Sequence, residues 1–205
     1  MDFKKKTLKY LNQTSWYHGT SVSGYESIKK HGIQALYNIN NELDFGPGFY
    51  LAPEKKMAEG FVTRMLDFQK QAIPNIPTDA VTPIVLEIEF PKSPYEYFTD
   101  EPYKTGTYEK NDEDFAKFIF HNRTKNVGQK PDHGFDMIYG VMSDNNPTLL
   151  ISKFNAGEIT EEEVIKGIIE KSISTKQLSI HNQTICGILK IKDVHTIEHK
   201  EVEGV

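Results

Sequence analysis

Two short segments constrain this chain's fold more than any other part. They are Trp16-Tyr17-His18-Gly19-Thr20 and, further along, Asp44-Phe45-Gly46-Pro47-Gly48-Phe49-Tyr50-Leu51-Ala52. Each enters through hydrophobic residues, as a buried strand edge does, and then presents a polar ring and glycine backbone at one point. The two are expected to converge across a glycine-walled slot.

At 205 residues the chain has the usual size of one domain, with residues 1–13 as an N-terminal extension. Its 12 Phe and 10 Tyr can supply a sizeable core. The formal net charge of -5 gives no global attraction for phosphate backbones, which leaves only a local basic groove open to nucleic acid. Cys186 is alone, so an intrachain disulfide and a cysteine zinc cluster are both excluded. No apolar run reaches membrane-spanning length, and the basic start Lys4-Lys5-Lys6 is not followed by a signal-peptide core. The chain reads as cytoplasmic, without membrane association.

Periodicity and punctuation give a coarse outline. Residues 16–18 read as a strand entering a tight turn at Gly19-Thr20. Residues 21–31 read as a helix closed by Gly32. A polar loop follows over 38–48, then a short strand over 48–52. Pro53 opens a helix whose apolar stripe is Met57, Phe61, Met65 and Phe68. Residues 73–83 are a proline-bearing connector and 84–90 a half-buried strand. Residues 91–112 read as irregular and 114–121 as a short helix. The stretch 91–133 is either an insertion or lid, or ordinary surface loops.

Beyond it, 135–141 is β-rich and 148–155 helical, ending at Gly157. Thr160 and Glu163 form a capping box for a helix reaching about Glu170. Residues 177–181 read as a strand, 182–189 as a helix, and 194–201 as a last strand. Strands and helices interleave irregularly, which fits an α+β fold better than a doubly wound parallel one. No Gly-x-Gly-x-x-Gly, Walker loop or Gly-x-Ser-x-Gly elbow is present. The histidines outside the first motif (His31, His121, His133, His181, His195, His199) show no helical zinc pair, so no metal site is expected.

His18-Gly19-Thr20 resembles the first motif of ADP-ribosyltransferases of the poly(ADP-ribose) polymerase-like class. Gly48-Phe49-Tyr50-Leu51-Ala52 resembles the second, whose tyrosine stacks on nicotinamide. The fuller 44–52 pattern is similar to a group of small bacterial and phage proteins related to these enzymes. There the following helix carries an alanine and then an aromatic, matched by Ala58 and Phe61. Phe135-Asp136-Met137-Ile138-Tyr139-Gly140-Val141, ending in Ser143-Asp144, and Gln177-Leu178-Ser179-Ile180-His181 echo two later strands. The matches run in order from about residue 15 to 190.

The resemblance implies two small, strongly bent antiparallel or mixed sheets, flanked by helices, that form a cleft for NAD as substrate. It implies that the catalytic residues are His18, Tyr50 and Gln177, and that the NAD-binding residues are His18, Gly19, Thr20, Phe49, Tyr50 and Phe61. Cleaving the nicotinamide–ribose bond builds positive charge on the sugar, so the leaving ring and the ribose hydroxyls must both be held. His18 would orient the ribose, Gly19 would hold the carboxamide, Tyr50 would stack, and Thr20 would either bond the carboxamide or cap the next helix. Asp44 is expected to shape a turn before Gly46.

The sequence departs from the best-studied enzymes at the third motif, where a glutamate is absent. Gln177 can accept a ribose hydrogen bond but cannot act as a base. Glu87, Glu89 and Glu161 to Glu163 fit that place worse. By the same resemblance, loss of that glutamate implies transfer of single units or loss of activity, and mono-ADP-ribosyl transfer to a macromolecular acceptor, protein or nucleic acid, is the expected activity. The implied role is a toxin or defence effector, with an antitoxin as partner. The alternative is an inactive NAD- or partner-binding module of the same fold. A third reading, an RNA 2′-phosphotransferase, wants a basic cleft, and Arg64 and Arg123 are the only arginines.

Overall fold

The computed structural model describes residues 9–100, 102–143, 147–170 and 175–197. The Lys4-Lys5-Lys6 run, Asp144, His199 and the far end of the expected last strand lie outside them. The fold is mixed α+β, built on two small sheets. The first sheet is antiparallel, in the order β1 (Ser15–Ser21), β3 (Pro83–Glu89), β7 (Lys190–Thr196). The second has the order β2 (Phe49–Leu51), β6 (Lys176–Ile180), β5 (Met137–Val141), β4 (Thr105–Tyr108), with only the β4–β5 pair parallel. One bridge joins the sheets: Tyr17 N–H donates to Ala52 O at 2.9 Å and Ala52 N–H to Tyr17 O at 2.8 Å.

Strand alternation sorts the side chains into three apolar layers. Trp16, Leu86 and Ile88 share one core with Phe49, Leu51, Leu178, Ile180, Met137 and Tyr139 from the second sheet. The other face of the second sheet packs Phe45 and Ile138 against α5 (Glu113–Lys125), α6 (Pro147–Asn155) and α7 (Glu161–Ile169). The other face of the first sheet is covered by α2 (Lys55–Ala72), through Ala58, Val62, Leu66 and Val85. Cys186 is buried among the first group, and burial pushes its thiol up to about 12.

Several local expectations match. The helix expected over 21–31 is α1 (Val22–His31), with Ser21 not inside it but at its N-cap, accepting from Gly24 N–H at 3.1 Å in the place left open for Thr20. Gly32 closes it at φ 76, in the left-handed region that glycine tolerates. Thr160 and Glu163 make the capping box of α7. Asn182 caps α8 (Gln183–Ile188).

Others need correction. Gly19 and Thr20 are not a turn, because β1 runs through them to Ser21 in unbroken register with β3. Pro53 precedes the N-cap Glu54 rather than opening α2. The stripe α2 buries is Ala58, Val62 and Leu66, while Phe61 is 44% and Phe68 73% exposed. Small and branched residues let the helix lie close on Gly19, and the large aromatics fall on the outer side.

The connector includes a short helix, α3 (Thr78–Val81). Residues 91–112 contain α4 (Pro94–Thr99) and β4, so the stretch 91–133 supplies an edge strand and the core helix α5. The strand expected over 194–201 is β7, six residues of which pair with β3 around a bulge opposite Glu87 and Ile88.

Candidate functional site

The candidate site lies where β1 and β2 part. Continued antiparallel pairing beyond the Tyr17–Ala52 bridge would set Gly19 opposite Tyr50. Instead the His18 Nδ1 atom lies 2.8 Å from Tyr50 O. The imidazole takes the carbonyl that a second rung would have used. Tyr17 turns both of its backbone groups toward Ala52. Residues two apart on a strand face the same edge, so Gly19 presents its N–H and C=O to the same side, beyond the last rung. A donor and an acceptor thus stand at the fork.

The His18 ring packs on Phe49, with centroids 4.3 Å apart and planes at 31°. Both line a cavity of about 80 Å³ with Thr20, Gly48, Tyr37 and Asn38. That volume holds several water molecules, and hence one small ring. Burial holds the His18 imidazole below its ordinary range, so it is neutral at pH 7. Thr20 lines the cavity and leaves helix capping to Ser21. Tyr37 is 70% exposed at its rim and was not singled out in the sequence. An aromatic inside a polar loop was the available signal.

Gly19 has a packing reason as well. A Cβ there would sit 2.7 Å from Val62 Cβ and 2.8 Å from Ala58 O. Glycine lets α2 rest directly on β1, which fixes the strand edge that carries His18.

Tyr50 and Gln177 point elsewhere. Alternation turns Tyr50 away from Phe49, into the layer of Phe45 and the helices. Its hydroxyl accepts from Phe45 N–H at 3.0 Å and donates to Gly46 O at 2.7 Å. Burial, reinforced by the Asp44 carboxylate, raises its pKa well above the ordinary value. Gln177 is buried on the same face, donating to Asp44 Oδ2 at 3.2 Å and Val141 O at 3.4 Å. Neither lines the cavity, and Phe61 lies on the outer side of α2. The structure therefore brings together His18, Thr20 and Phe49, with Gly19 between two of them, and separates them from the Tyr50 and Gln177 side chains.

Asp44 does more than shape a turn. It is buried, and Oδ1 accepts from Arg123 Nη2 at 2.8 Å and Nε at 3.1 Å. Oδ1 also accepts from Ser143 Oγ at 2.6 Å, and Oδ2 from Ser143 N–H at 2.9 Å. The buried carboxylate is thus paired and fully hydrogen-bonded, as burial demands.

The segment 44–48 is buried although it is a loop, so its backbone polar groups need internal partners. Side chains supply nearly all of them. Asn122 donates to Asp44 O, and Asn38 brackets Gly48 by donating to its carbonyl and accepting from its N–H. His133 Nδ1 accepts from Phe135 N–H, so its Nε2–H donates to Phe45 O at 3.1 Å. His181 Nδ1–H donates to Pro47 O at 2.7 Å, and its Nε2 accepts from Ser179 Oγ at 2.8 Å. Both imidazoles are neutral, and burial, with His133 close by, pushes His181 down to about 3. The rest of the 44–50 motif therefore works by holding Phe49 and the Tyr50 carbonyl in place. His133 and His181 were missed as partners because nothing local in sequence ties them to residue 45 or 47.

For metal chemistry, Glu87, Asp193 and His195 place one ligand atom each within 4.8 Å of one another. Lys192 already sits on Glu87 at 2.7 Å, which lowers the carboxyl's pKa and supplies the positive charge there. Among the described residues no helix is long and apolar enough to cross a membrane.

This set of strands and motif residues defines a sequence family. The chain belongs to the family described as protein of unknown function DUF3990, whose profile matches residues 15–191. The match covers the second sheet, β1, β3 and the first two residues of β7, and it includes every residue of the fork. No curated protein matches the chain.

Proposed function

We propose that the protein is an NAD-dependent mono-ADP-ribosyltransferase with the nicotinamide end of NAD at the β1–β2 fork. The observation that carries this reading is the His18–Tyr50 contact, which ends strand pairing and leaves the N–H and C=O of Gly19 facing outward. A carboxamide needs one acceptor and one donor in that spacing. The cavity beside it suits a single flat ring, and Phe49 and His18 supply an aromatic wall. A whole dinucleotide exceeds it, so the remainder of NAD would extend outside.

With NAD bound, an acceptor atom forms a bond to the anomeric carbon of the ribose. The nicotinamide–ribose bond breaks with its electron pair on the pyridine nitrogen, and neutral nicotinamide leaves. The acceptor's proton passes to water. His18, neutral and tied through Nδ1, is placed to orient a ribose hydroxyl with Nε2. Tyr50 acts by holding the 45–46 turn, not by stacking. The toxin or defence role, and an antitoxin partner, belong to this same reading.

A second reading is favoured by the engagement of Gln177. Its amide is committed to Asp44 and Val141. Without a residue to steady the ribose, the fold would bind NAD and transfer nothing. One experiment separates the two. Labelled NAD is incubated with the protein and cell lysate, and nicotinamide release and label transfer are measured for wild type and His18→Ala. Transfer lost in His18→Ala supports the enzyme. Binding of NAD without release supports the inactive module, and no binding defeats both.

A further inference from the structure

A second, larger cavity adjoins the first. It has a volume of about 590 Å³, within the range of roughly 300–1,000 Å³ typical of ligand sites. His31 and Gln34 line both cavities, so the two lie side by side with these residues shared between them. The floor of the larger one is aromatic: the His133 and Phe135 rings stack with centroids 5.4 Å apart and planes at 30°. Phe135 is half-buried, leaving part of its ring to the groove.

The charge lining this groove differs from that of the chain as a whole. Lys130 and His31 are exposed at its walls. Among the described residues no carboxylate lies within ion-pair distance of Lys130. The one carboxylate in the lining, Asp136, is already used. Its Oδ2 accepts from Lys104 N–H at 2.9 Å and its Oδ1 from Asn182 at 2.7 Å. The neighbouring Asp132 is turned to His121 and Asn126. An acidic protein of net charge -5 thus keeps a local groove lined by one exposed lysine, an exposed imidazole and a half-buried phenylalanine, with no free carboxylate among the described residues.

We infer that this groove binds a single-stranded nucleic acid as the acceptor of the transfer, an assignment that rests on the functional reading above. A base would lie on Phe135, and Lys130 and His31 would meet the flanking phosphates, the combination that single-strand binders use. Past the shared His31 and Gln34, the next nucleotide would reach the His18 cavity. A base nitrogen there takes the bond to the ribose carbon, loses its proton to water, and nicotinamide departs with the electron pair.

The test uses the full chain and fluorescein-labelled 12-mers of mixed sequence, as single-stranded DNA, single-stranded RNA and duplex DNA, in an anisotropy titration. Wild type is expected to bind a single strand at least 10-fold more tightly than the duplex. Lys130→Glu, which is exposed and leaves the core untouched, is expected to weaken that binding at least 10-fold, and Phe135→Ala likewise. Binding should fall with salt with a log–log slope of about −0.7 to −1.4, as one or two phosphate contacts to a single strand require. Absence of single-strand binding, binding unaffected by Lys130→Glu, or labelled ADP-ribose found only on polypeptide in lysate would overturn the assignment. Nicotinamide release from NAD is read in parallel on wild type in the presence of cell lysate, which supplies the acceptor. Release without oligonucleotide binding removes this inference and leaves the enzyme reading intact. Oligonucleotide binding without release supports the groove and removes the enzyme reading.

Discussion

The Nδ1 atom of His18 lies 2.8 Å from the main-chain carbonyl oxygen of Tyr50. A side chain thereby fills the role of a strand rung and splits two strands that the Tyr17–Ala52 bridge has just brought together. The His18 imidazole and the Tyr50 main chain are neighbours, while the Tyr50 ring serves the opposite face of its strand.

Tyr50→Phe keeps the ring and removes the hydroxyl, which leaves Phe45 N–H and Gly46 O unpaired in a buried turn. The expected cost is about 1–3 kcal/mol, seen as a fall of about 2–4 °C in Tm per kcal/mol for a chain of this size. Calorimetry checks it. An unchanged Tm would mean that the hydroxyl holds nothing.

Gly19→Ala should destabilise the protein by about 1–3 kcal/mol through overpacking against Val62 and Ala58. Urea denaturation of Gly19→Ala and of Gly19→Ala with Val62→Ala provides the measurement. The second substitution should recover part of the loss. Additive losses would place the strain elsewhere.

Asp44→Ala leaves the Arg123 guanidinium buried without its partner, and a loss of about 3–5 kcal/mol is expected. Arg123→Leu combined with Asp44→Ala should cost less than the sum of the two single changes, because they share one interaction. A double-mutant cycle in urea reads the coupling directly.

Acid should weaken the fold through the buried imidazoles. His181 is pushed from an ordinary 6.5 to about 3, so the unfolded chain binds a proton that the folded chain refuses. This contribution is fully present above about pH 6.5 and is lost progressively as pH falls toward 3. The slope reaches about 1.4 kcal/mol per pH unit for each such group. His18 and His133 are shifted in the same direction. Denaturation midpoints at pH 7 and pH 5 should differ accordingly, and His181→Gln should flatten the dependence. An equal slope in that variant would rule His181 out as a contributor.

Much of the fold was legible because it was written locally. Gly32 and the Thr160–Glu163 box mark helix ends by chemistry within one turn of the chain. The α2 stripe was misread because spacing alone does not distinguish Met57, Phe61, Met65 and Phe68 from Ala58, Val62 and Leu66. The choice was made by Gly19, on another strand, which leaves room only for a close-packed helix face. β4 escaped notice because Thr105-Gly106-Thr107-Tyr108 carries no apolar run and becomes a strand by pairing with β5. At the site, His18, Thr20 and Phe49 were legible from the two motifs. The duties of Tyr50, Gln177 and Asp44 were not, since each depends on which strand face it occupies and on partners far away in the chain.

The fastenings of residues 44–48 come from Asn38, Tyr50, Asn122, Arg123, His133, Ser143, Gln177 and His181. They are drawn from nearly the whole length of the polypeptide, so the pocket wall has no early, free-standing form. A nascent or shortened chain ending before His181 would leave Pro47 O without its donor, so the wall beside the His18 cavity is complete only once the last strands have closed.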